Sequence, residues 1–557
     1  MSKKHLLVGV SALIAAATSL AGAASAQVTT QIYAGTNALM GPYMNQSGNC
    51  YGNPVQLVVQ GSNLTSPTLL TTTPFNYTGA VPQNCATTQI DTTVQINEIQ
   101  SGSGTNIKAI YSHSPKNFFG DTVPPGGNNT PFPDLHFGLS ETPLGTTDVT
   151  TYNSGGVEQG VTFTATPGAG QYPIPAPLYG NLVQFPMVIA PLAIEYSSTY
   201  KKVRQADGSV VSYHFHIFKP NKDHSGGLLL DATTYCKIFN GQITDWNQIP
   251  TTLNGGVSLQ DSADTSTFSV PLQIVGRSDS AGATSTWTRH LAAICPALIT
   301  GNQYADSATT LPSTLQGPAW TSTNPNYGAG SGVTDVPGKY TRAVQTVGVA
   351  DYIQFDPNNL PGPNAGDSVV QGRIGYNGAD TALPYVNNTG NNTFGLNIVD
   401  ILRSGTTGIE PSAQSAALAY SATIVPPTGA NAQNPANWVQ PASKTAAVAI
   451  PSNIKAYPIV GTTNFLGYTC YTDAAVTTNL IKFLNWYLTS TTVEDTKLGI
   501  LAKSGSSPMP VAWRSTTQHT FLNSFASTNP LNLHILQAGT GPATGTNSQC
   551  HAITPGA

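Results

Sequence analysis

The sequence predicts an α/β protein in which short apolar strands alternate with amphipathic helices. In the segment 270–296, an apolar run is followed by Trp287, Leu291 and Ile294 at helical spacing. Charged residues make up only 9 % of the chain and apolar residues 39 %, which is typical of a folded protein. With 557 residues, the chain is long enough for more than one domain.

Other segments repeat the order of strand and helix, which favours α/β domains. Strands are predicted at 227–230, 372–377 and 464–472, and helices from 231 toward Phe239, at 343–354 and around 479–488. Tracts rich in Pro, Gly, Asn, Ser and Thr separate these segments, and we interpret them as surface insertions. These tracts are 112–133, 145–182, 200–225, 303–338, 355–370 and 424–446.

The run QFPMVIAPLAIEY at 184–196 differs from the other apolar segments. It contains two prolines and is too long for one strand of a hairpin. We interpret it as a strand that passes from one lobe of the protein to another.

The first 26 residues have the pattern of a secretory signal. Two lysines precede the apolar run 6–20, and Ala-Ser-Ala at 24–26 is a small-residue cleavage site. The mature chain is therefore expected to begin at Gln27. A membrane anchor is the alternative, but the run is too short and too rich in Ala and Ser to span a bilayer. No Cys directly follows the run, so no lipid anchor is expected. No later segment is predicted to cross a membrane.

Charge and cysteine usage narrow the function classes. The net charge of −4 and the lack of a Lys/Arg run give no support for nucleic-acid binding. Six cysteines after a secretory signal indicate disulfides in an oxidising compartment. Six cysteines allow 15 pairings, and sequential pairing would keep each bridge local. That pairing is Cys50–Cys85, Cys236–Cys295 and Cys470–Cys550. No cysteine spacing indicates a zinc site.

The stretch VGRSDSAGATSTWTRHL at 275–291 is a candidate anion loop. A strand ends at Arg277, and a helix is expected to start near Thr284. The backbone N–H groups of a helix start, with a guanidinium beside them, suit an anion. Ala281 and Ala283 stand where hydroxyl groups would be favoured. An ion pair between Arg277 and Asp279 is the alternative interpretation of the arginine.

Seven segments together carry a family resemblance. They are IYAGTNALMGPY (32–43), SGSGTNIKAI (101–110), DLHFGLSETPL (134–144), QFPMVIAPLAIEY (184–196), LLLDATTYCKIFNGQITDWN (228–247), VGRSDSAGAT (275–284) and AYPIVGTTNFLGYT (456–469). In this order the chain resembles the phosphate-binding protein of bacterial ABC-type phosphate importers, in an enlarged form. The long insertions lie outside the matched segments.

The resemblance implies a two-lobed periplasmic binding protein fold of type II, with a mixed sheet flanked by helices in each lobe. Lobe I would combine 27–185 with 456–557, and lobe II would cover 190–450. Crossovers near 184–196 and 450–468 would form the hinge, and the ligand would lie between the lobes. Each predicted disulfide would then stay within one lobe.

The resemblance also implies ligand contacts. Ser103 matches a ligand serine, with capping of a helix that opens at Ile107 as the alternative role. Glu141 stands at the family's aspartate, whose carboxylate accepts a hydrogen bond from protonated phosphate and rejects sulfate. A surface glutamate is the alternative for Glu141. Arg277 matches the anion-clamping arginine, and Asp279 matches its acidic neighbour.

Two of the family's ligand-binding stretches are altered in this chain. The family's Ser-Gly-Thr falls on Ala281-Gly282-Ala283, so Ser280 and Thr284 are the candidate replacement donors. In the first motif, Thr36 or Asn37 would serve as donor. The full candidate set is Thr36, Asn37, Ala38, Ser103, Glu141, Arg277, Asp279, Ser280, Ala281, Gly282, Ala283 and Thr284.

The function implied is a secreted or periplasmic protein that binds phosphate or a related oxyanion for an ABC permease. We expect a monomer without cofactor or metal. A secreted phosphatase is the first alternative, since some relatives are described as alkaline phosphatases; it would need a nucleophile with a base or a metal. His214, His216 and His224 are the best metal candidates. A non-transport surface protein on the same fold is the second alternative.

Overall fold

The structure is a computed structural model, and it describes most of the chain after the predicted signal. The described residues are 27–37, 39–55, 57–59, 90–119, 132–196, 199–204, 210–214, 228–259, 272–277, 281–298, 340–343, 345–354, 372–379, 397–405, 407–420, 424–438, 448–495, 499–522, 533–545 and 548–557. The predicted signal 1–26 and the tracts 303–338 and 355–370 lie outside them. No helix within these ranges is long and apolar enough to cross a membrane.

An 11-stranded mixed sheet runs through the described part of the chain. Its strands follow the order β13-β12-β14-β8-β18-β4-β1-β3-β2, and β15 and β20 also pair with β8. Their bounds are β1 Thr30–Thr36, β2 Val58–Val59, β3 Val94–Gln100, β4 Phe137–Ser140, β8 Leu182–Tyr196, β12 Leu272–Arg277, β13 Tyr340–Ala343, β14 Gly372–Gly378, β15 Asn397–Ile398, β18 Val460–Tyr468 and β20 Ser507–Pro508.

Strands β8 and β18 join the two halves of this sheet. The fully buried β8 pairs antiparallel with β18 from Leu182 to Pro191 and with β14 from Leu192 to Tyr196. The apolar run 184–196 therefore forms one continuous strand that contacts both halves. The lobe boundaries given above stay a prediction, since no further observation delimits them.

The other strands of the described residues form four small sheets. Their strands are β5 Gly156–Glu158, β6 Val161–Thr164, β7 Tyr172–Pro173, β9 Thr199–Arg204, β10 Val210–His214, β11 Leu229–Asp231, β16 Asp400–Ser404, β17 Thr407–Ile409, β19 Cys470–Tyr471 and β21 Leu536–Gln537. The tract 145–182 therefore has regular structure, because β5, β6 and β7 form a sheet within it. Phe163 of β6 packs against Tyr111 and Tyr172, and this aromatic contact explains why a tract so rich in Gly and Pro folds.

Helices follow the strands as the sequence pattern predicts, with shifted ends. They are α1 Gly41–Tyr51, α2 Ser103–Ser112, α3 Pro115–Phe119, α4 Thr146–Ser154, α5 Ala176–Tyr179, α6 Ala232–Phe239, α7 Gly282–Ile294, α8 Gln345–Gln354, α9 Ala413–Ala417, α10 Ala474–Thr489, α11 Thr491–Glu494, α12 Ile500–Lys503 and α13 Val511–Thr517. Two expected starts were wrong. Helix α2 begins at Ser103 rather than Ile107, and α7 begins at Gly282 rather than Thr284.

The buried apolar residues form one large cluster and two smaller ones. One of the smaller clusters joins α8 to β12 and contains Val275, Val349 and Ile353. Disulfides Cys236–Cys295 and Cys470–Cys550 are present, as sequential pairing predicts. Cys50 is also disulfide-bonded, and its predicted partner Cys85 lies outside the described residues. Disulfides persist in oxidising compartments outside the cytosol.

Candidate functional site

Three strands bring polar residues to one region of the molecule. Strands β3 and β4 run parallel to β1, and β12 runs parallel to β13 and β14. Ser103 follows the end of β3, Glu141 follows β4, and Arg277 is the last residue of β12. Strand β12 runs opposite to β3 and β4, because β14 and β18 both pair antiparallel with β8. The carboxyl ends of the two sets of strands therefore face each other, and ligands of open α/β sheets bind beyond such ends.

Ser103 and Glu141 form a buried pair. The Ser103 hydroxyl donates to Oε2 of Glu141 at 2.5 Å and accepts from the Glu141 backbone N–H at 3.1 Å. Ser103 is the first residue of α2, whose N-cap is Gly102 and has no side-chain cap bond. The capping role considered for Ser103 is therefore wrong, and the hydroxyl points instead toward the end of β4.

Arg277 brings a positive charge to the same place. Its side chain is 1 % exposed, and one guanidinium nitrogen donates to the Thr346 hydroxyl at 3.5 Å. The charge acts on Glu141, because it lowers the pKa of that carboxyl. A buried arginine stays protonated and presents a planar fork that matches an oxyanion.

The first turn of α7 closes over Ser103 and Glu141. A Cβ placed on Gly282 would lie 2.2 Å from Oε2 of Glu141 and 2.6 Å from the Ser103 hydroxyl. Since real Cβ atoms essentially never come so close, glycine permits this contact. The N-cap Ala281 makes no side-chain cap bond. The first N–H groups of α7 have no partner within the helix itself and point outward from its start.

These groups line a small cavity that contains about 170 Å³ of free space, counting its open mouth. Its lining residues are Leu39, Gly102, Ser103, Glu141, Arg277, Ala281, Gly282 and Ala283. A guanidinium, a hydroxyl, a helix start and a carboxyl thus meet around one narrow space. Such a set can hold an anion, because cationic and N–H donors outnumber the acceptors.

The carboxyl of Glu141 is the acidic member of the site. Burial raises its pKa, while the Ser103 hydrogen bond, the Arg277 charge and nearby backbone N–H groups act in the opposite direction. Its Oε1 has no hydrogen-bond partner of good geometry among the described residues. The carboxyl therefore has an oxygen available to a ligand. When ionised it accepts a hydrogen bond, and when protonated it donates one.

Three predicted site residues are bonded elsewhere. Thr284 shares a 2.8 Å hydrogen bond with the Tyr376 hydroxyl. Thr36 donates to the Ile99 carbonyl at 3.4 Å, and the Asn37 amide donates to Thr463 at 3.2 Å. None of these three is among the cavity-lining residues, so none of them is placed to contact an anion in the cavity.

Three further members of the candidate set, Ala38, Asp279 and Ser280, lie outside the described residues. His216 and His224 also lie outside them, whereas His214 ends β10. Within the described ranges, no group of three or more His, Cys, Asp or Glu side chains could hold a metal ion.

Sequence reasoning missed four residues at or beside the cavity. Leu39 and Gly102 line it, while Thr346 and Tyr376 bond Arg277 and Thr284. The sequence could have indicated Gly102, because it directly precedes Ser103 in the second motif. Thr346 and Tyr376 are distant in sequence and carried no local pattern.

The chain is similar in sequence to proteins that are named alkaline phosphatase and phosphate-binding protein. It is 26 % identical over 309 residues to alkaline phosphatase L of Pseudomonas aeruginosa, which covers 55 % of this chain and 64 % of that protein. It is 26 % identical over 367 residues to a phosphate-binding protein of an unknown prokaryotic organism, covering 64 % and 78 %. The chain thus spans just under two thirds of the first of these relatives.

Solved structures and a family match agree on the fold. The phosphate-binding protein of Stenotrophomonas maltophilia superposes with a TM-score of 0.52 at 21 % identity, covering 94 % of this chain and 99 % of that one. This likeness shows the two-lobed α/β fold of type II that the sequence predicts. The PBP superfamily domain matches residues 179–490. Because that match covers more than half of the chain, the protein belongs to the PBP superfamily.

Proposed function

We propose that this protein binds inorganic phosphate, or a closely related tetrahedral oxyanion, in the cavity beyond β3, β4 and β12. The observation that carries the proposal is the meeting of Arg277, Glu141 and the start of α7 around one small cavity. Arg277 and the backbone N–H groups of α7 supply donors to an anion, while the Ser103 hydroxyl donates to Glu141 and holds that carboxyl in place. These lining residues are almost completely buried. Hydrogen bonds to a charged group are the stronger ones in such surroundings.

Glu141 gives the site a basis for choosing its anion. An ionised Glu141 accepts a hydrogen bond from a protonated phosphate oxygen, whereas fully ionised sulfate has no proton to offer. Two acceptors facing each other in a buried site are costly. We therefore infer that phosphate and arsenate bind more tightly than sulfate.

The relatives support a role outside the cytosol. One is named a phosphate-binding protein, and the disulfides of this chain suit an oxidising compartment. We propose that the signal 1–26 directs the chain to the periplasm or beyond, and that it delivers phosphate to an ABC permease.

Ligand-induced stabilisation tests the proposal. Phosphate at one hundred times its dissociation constant should stabilise the protein by about 2.7 kcal/mol, with a smaller effect from sulfate at the same concentration. Arg277→Ala should abolish the phosphate effect. Lys237→Ala removes an exposed charge on α6 and should leave it unchanged. No stabilisation by any oxyanion, or full stabilisation of Arg277→Ala, would overturn the proposal.

Hydrolysis of phosphate esters is the second candidate. The 2.5 Å bond from Ser103 to Glu141 pairs a hydroxyl with a carboxyl that could accept its proton, and one relative is named a phosphatase. The small cavity favours a free anion over an ester with a bulky group. If the chain is a phosphatase, Ser103→Ala and Arg277→Ala should each abolish release of phosphate from a simple ester. Unchanged release in both variants would identify a contaminating enzyme.

A further inference from the structure

A second pocket lies beside the oxyanion cavity, between α7 and β18. It contains about 390 Å³ of free space, counting its open mouth. Its lining residues are Glu141, Pro143, Thr286, Arg289, His290, Val448, Ala449, Pro458, Val460, Gly461 and Thr462. Of these, Glu141 also lines the oxyanion cavity. The second pocket is thus a separate space that shares one wall with the first.

One face of α7 connects the two pockets. Gly282, Thr286 and Arg289 recur at helical spacing, so they lie along the same side of the helix. Gly282 contacts Glu141, and the next turn brings Thr286 against Gly461 of β18. The face then reaches Arg289, whose guanidinium lies at the second pocket.

Arg289 brings an uncompensated positive charge to this pocket. Within the described part of the chain it makes no ion-pair contact, and the acidic group that acts on it from further away is Asp148. Removal from water lowers the pKa of Arg289, while Asp148 acts in the opposite direction. The group nevertheless remains a cation at any physiological pH.

His290 forms a neutral wall of the pocket. Its Nε2 lies 2.9 Å from the Tyr235 hydroxyl, and burial lowers the pKa of the ring to about 3, so the imidazole is neutral. If the tyrosine donates to Nε2, the proton of the ring is on Nδ1. That nitrogen is buried and faces the Pro458 carbonyl, which raises the pKa of the ring. His290 therefore adds no second charge beside Arg289.

We propose that this pocket binds a small carboxylate. Its two oxygens accept hydrogen bonds from the Arg289 guanidinium, because a guanidinium fork matches a carboxylate. Its short apolar body packs against Val448, Pro458 and Val460. This site is distinct from the oxyanion cavity, and it is coupled to that cavity through the shared side chain of Glu141.

A comparison of acetate with neutral acetamide shows whether the pocket recognises the charge of the ligand or only its shape. Saturation-transfer NMR on the methyl group should show saturable binding of acetate and none of acetamide. Arg289→Met should weaken acetate binding roughly ten- to hundred-fold. Lys482→Met removes an exposed charge on α10 and should leave binding unchanged. Arg277→Ala should still show saturable acetate binding, although it abolishes the proposed phosphate effect.

A substitution that fills the pocket gives a second test and leaves Arg289 in place. Ala449→Leu places three further carbons in the pocket and should exclude acetate while phosphate still stabilises the protein. A melting curve of each variant shows whether it folds. The proposal is overturned if wild-type protein does not bind acetate, if acetamide binds equally well, or if Arg289→Met and Ala449→Leu both fold and retain acetate. Loss of acetate in Arg277→Ala alone would assign the anion to the oxyanion cavity instead.

Discussion

The Ser103 hydroxyl and Glu141 exchange two hydrogen bonds, one to the carboxylate at 2.5 Å and one from the backbone N–H at 3.1 Å. The pair ties the start of α2 to the end of β4. It also fixes where Oε2 of Glu141 lies, so that Oε1 is left for a ligand. The first turn of α7 can rest on this pair only because Gly282 has no side chain.

Gly282→Ala should therefore prevent the tight contact between α7 and Glu141. The new Cβ would lie 2.2 Å from Oε2 of Glu141. Overpacking of this kind destabilises the folded state by about 1–3 kcal/mol, and displacement of the α7 N–H groups should weaken phosphate binding in calorimetry. Alanine favours a helix over glycine by about 1 kcal/mol. A variant that melts no lower than wild type and binds phosphate equally well would contradict the clash.

Gly168→Ala is a matched control for that substitution. A Cβ at this position meets nothing closer than the Gln171 side chain at 3.6 Å, which is ordinary contact. Its phosphate affinity should equal that of the wild type. A similar loss in both variants would mean that the effect does not come from the α7 contact.

Glu141→Gln should change how the ligand-free protein responds to pH. Burial raises the pKa of Glu141 in the folded state. As the pH rises through the unfolded value of about 4.3, the unfolded chain releases its proton first, so the folded state loses stability. Glutamine cannot ionise and still accepts from Ser103. The variant should therefore gain stability relative to wild type between acidic and neutral pH, as denaturant midpoints will measure. Parallel pH profiles would contradict this expectation.

Asp134→Asn should have the opposite dependence on pH. Burial by itself raises the pKa of Asp134. The hydrogen-bonding contacts with His113 and His136 lower it by a larger amount, so the net shift is downward. Nδ1 of His136 accepts from the Tyr33 N–H at 2.9 Å, so the proton of the ring is on Nε2, which lies 3.6 Å from the Asp134 carboxylate. The stabilisation is present above the unfolded pKa of about 3.9 and is lost as the pH falls toward the native value.

The asparagine variant should be less stable than wild type by about 1 kcal/mol at neutral pH. The difference should shrink as the pH falls below 4, because the unfolded wild-type chain then binds a proton at Asp134 that the folded state does not bind. Urea unfolding at several pH values measures this. A difference that stays constant with pH would assign the loss to packing rather than to charge.

Much of the site was predictable, and each key residue ends or follows a strand. Arg277 ends β12, and Ser103 and Glu141 come directly after β3 and β4. The family resemblance carried by the order of motifs indicated these three residues. The structure explains why they lie close together, because the carboxyl ends of β3 and β4 face that of β12.

The remaining contacts depend on tertiary packing. Thr284 was expected to replace a missing donor, but its hydroxyl bonds Tyr376, which is 92 residues away in the sequence. Helix starts were misplaced because glycine and alanine begin α7 without a side-chain cap. No local pattern shows which partner a buried hydroxyl finds, so such pairings require the folded chain.

Ala283→Thr should strengthen phosphate binding by supplying a hydroxyl that the cavity lacks. Ala283 lines the cavity and is 2 % exposed, so a hydroxyl there would face the anion rather than solvent. One added hydrogen bond to a charged group should tighten binding roughly tenfold or more. Ala283→Val is the matched control, because valine has the shape of threonine without the hydroxyl. Calorimetry should show that the threonine variant binds phosphate more tightly than the valine variant, since both add the same bulk. Equal affinities in the two variants would show that the added hydroxyl does not reach the anion.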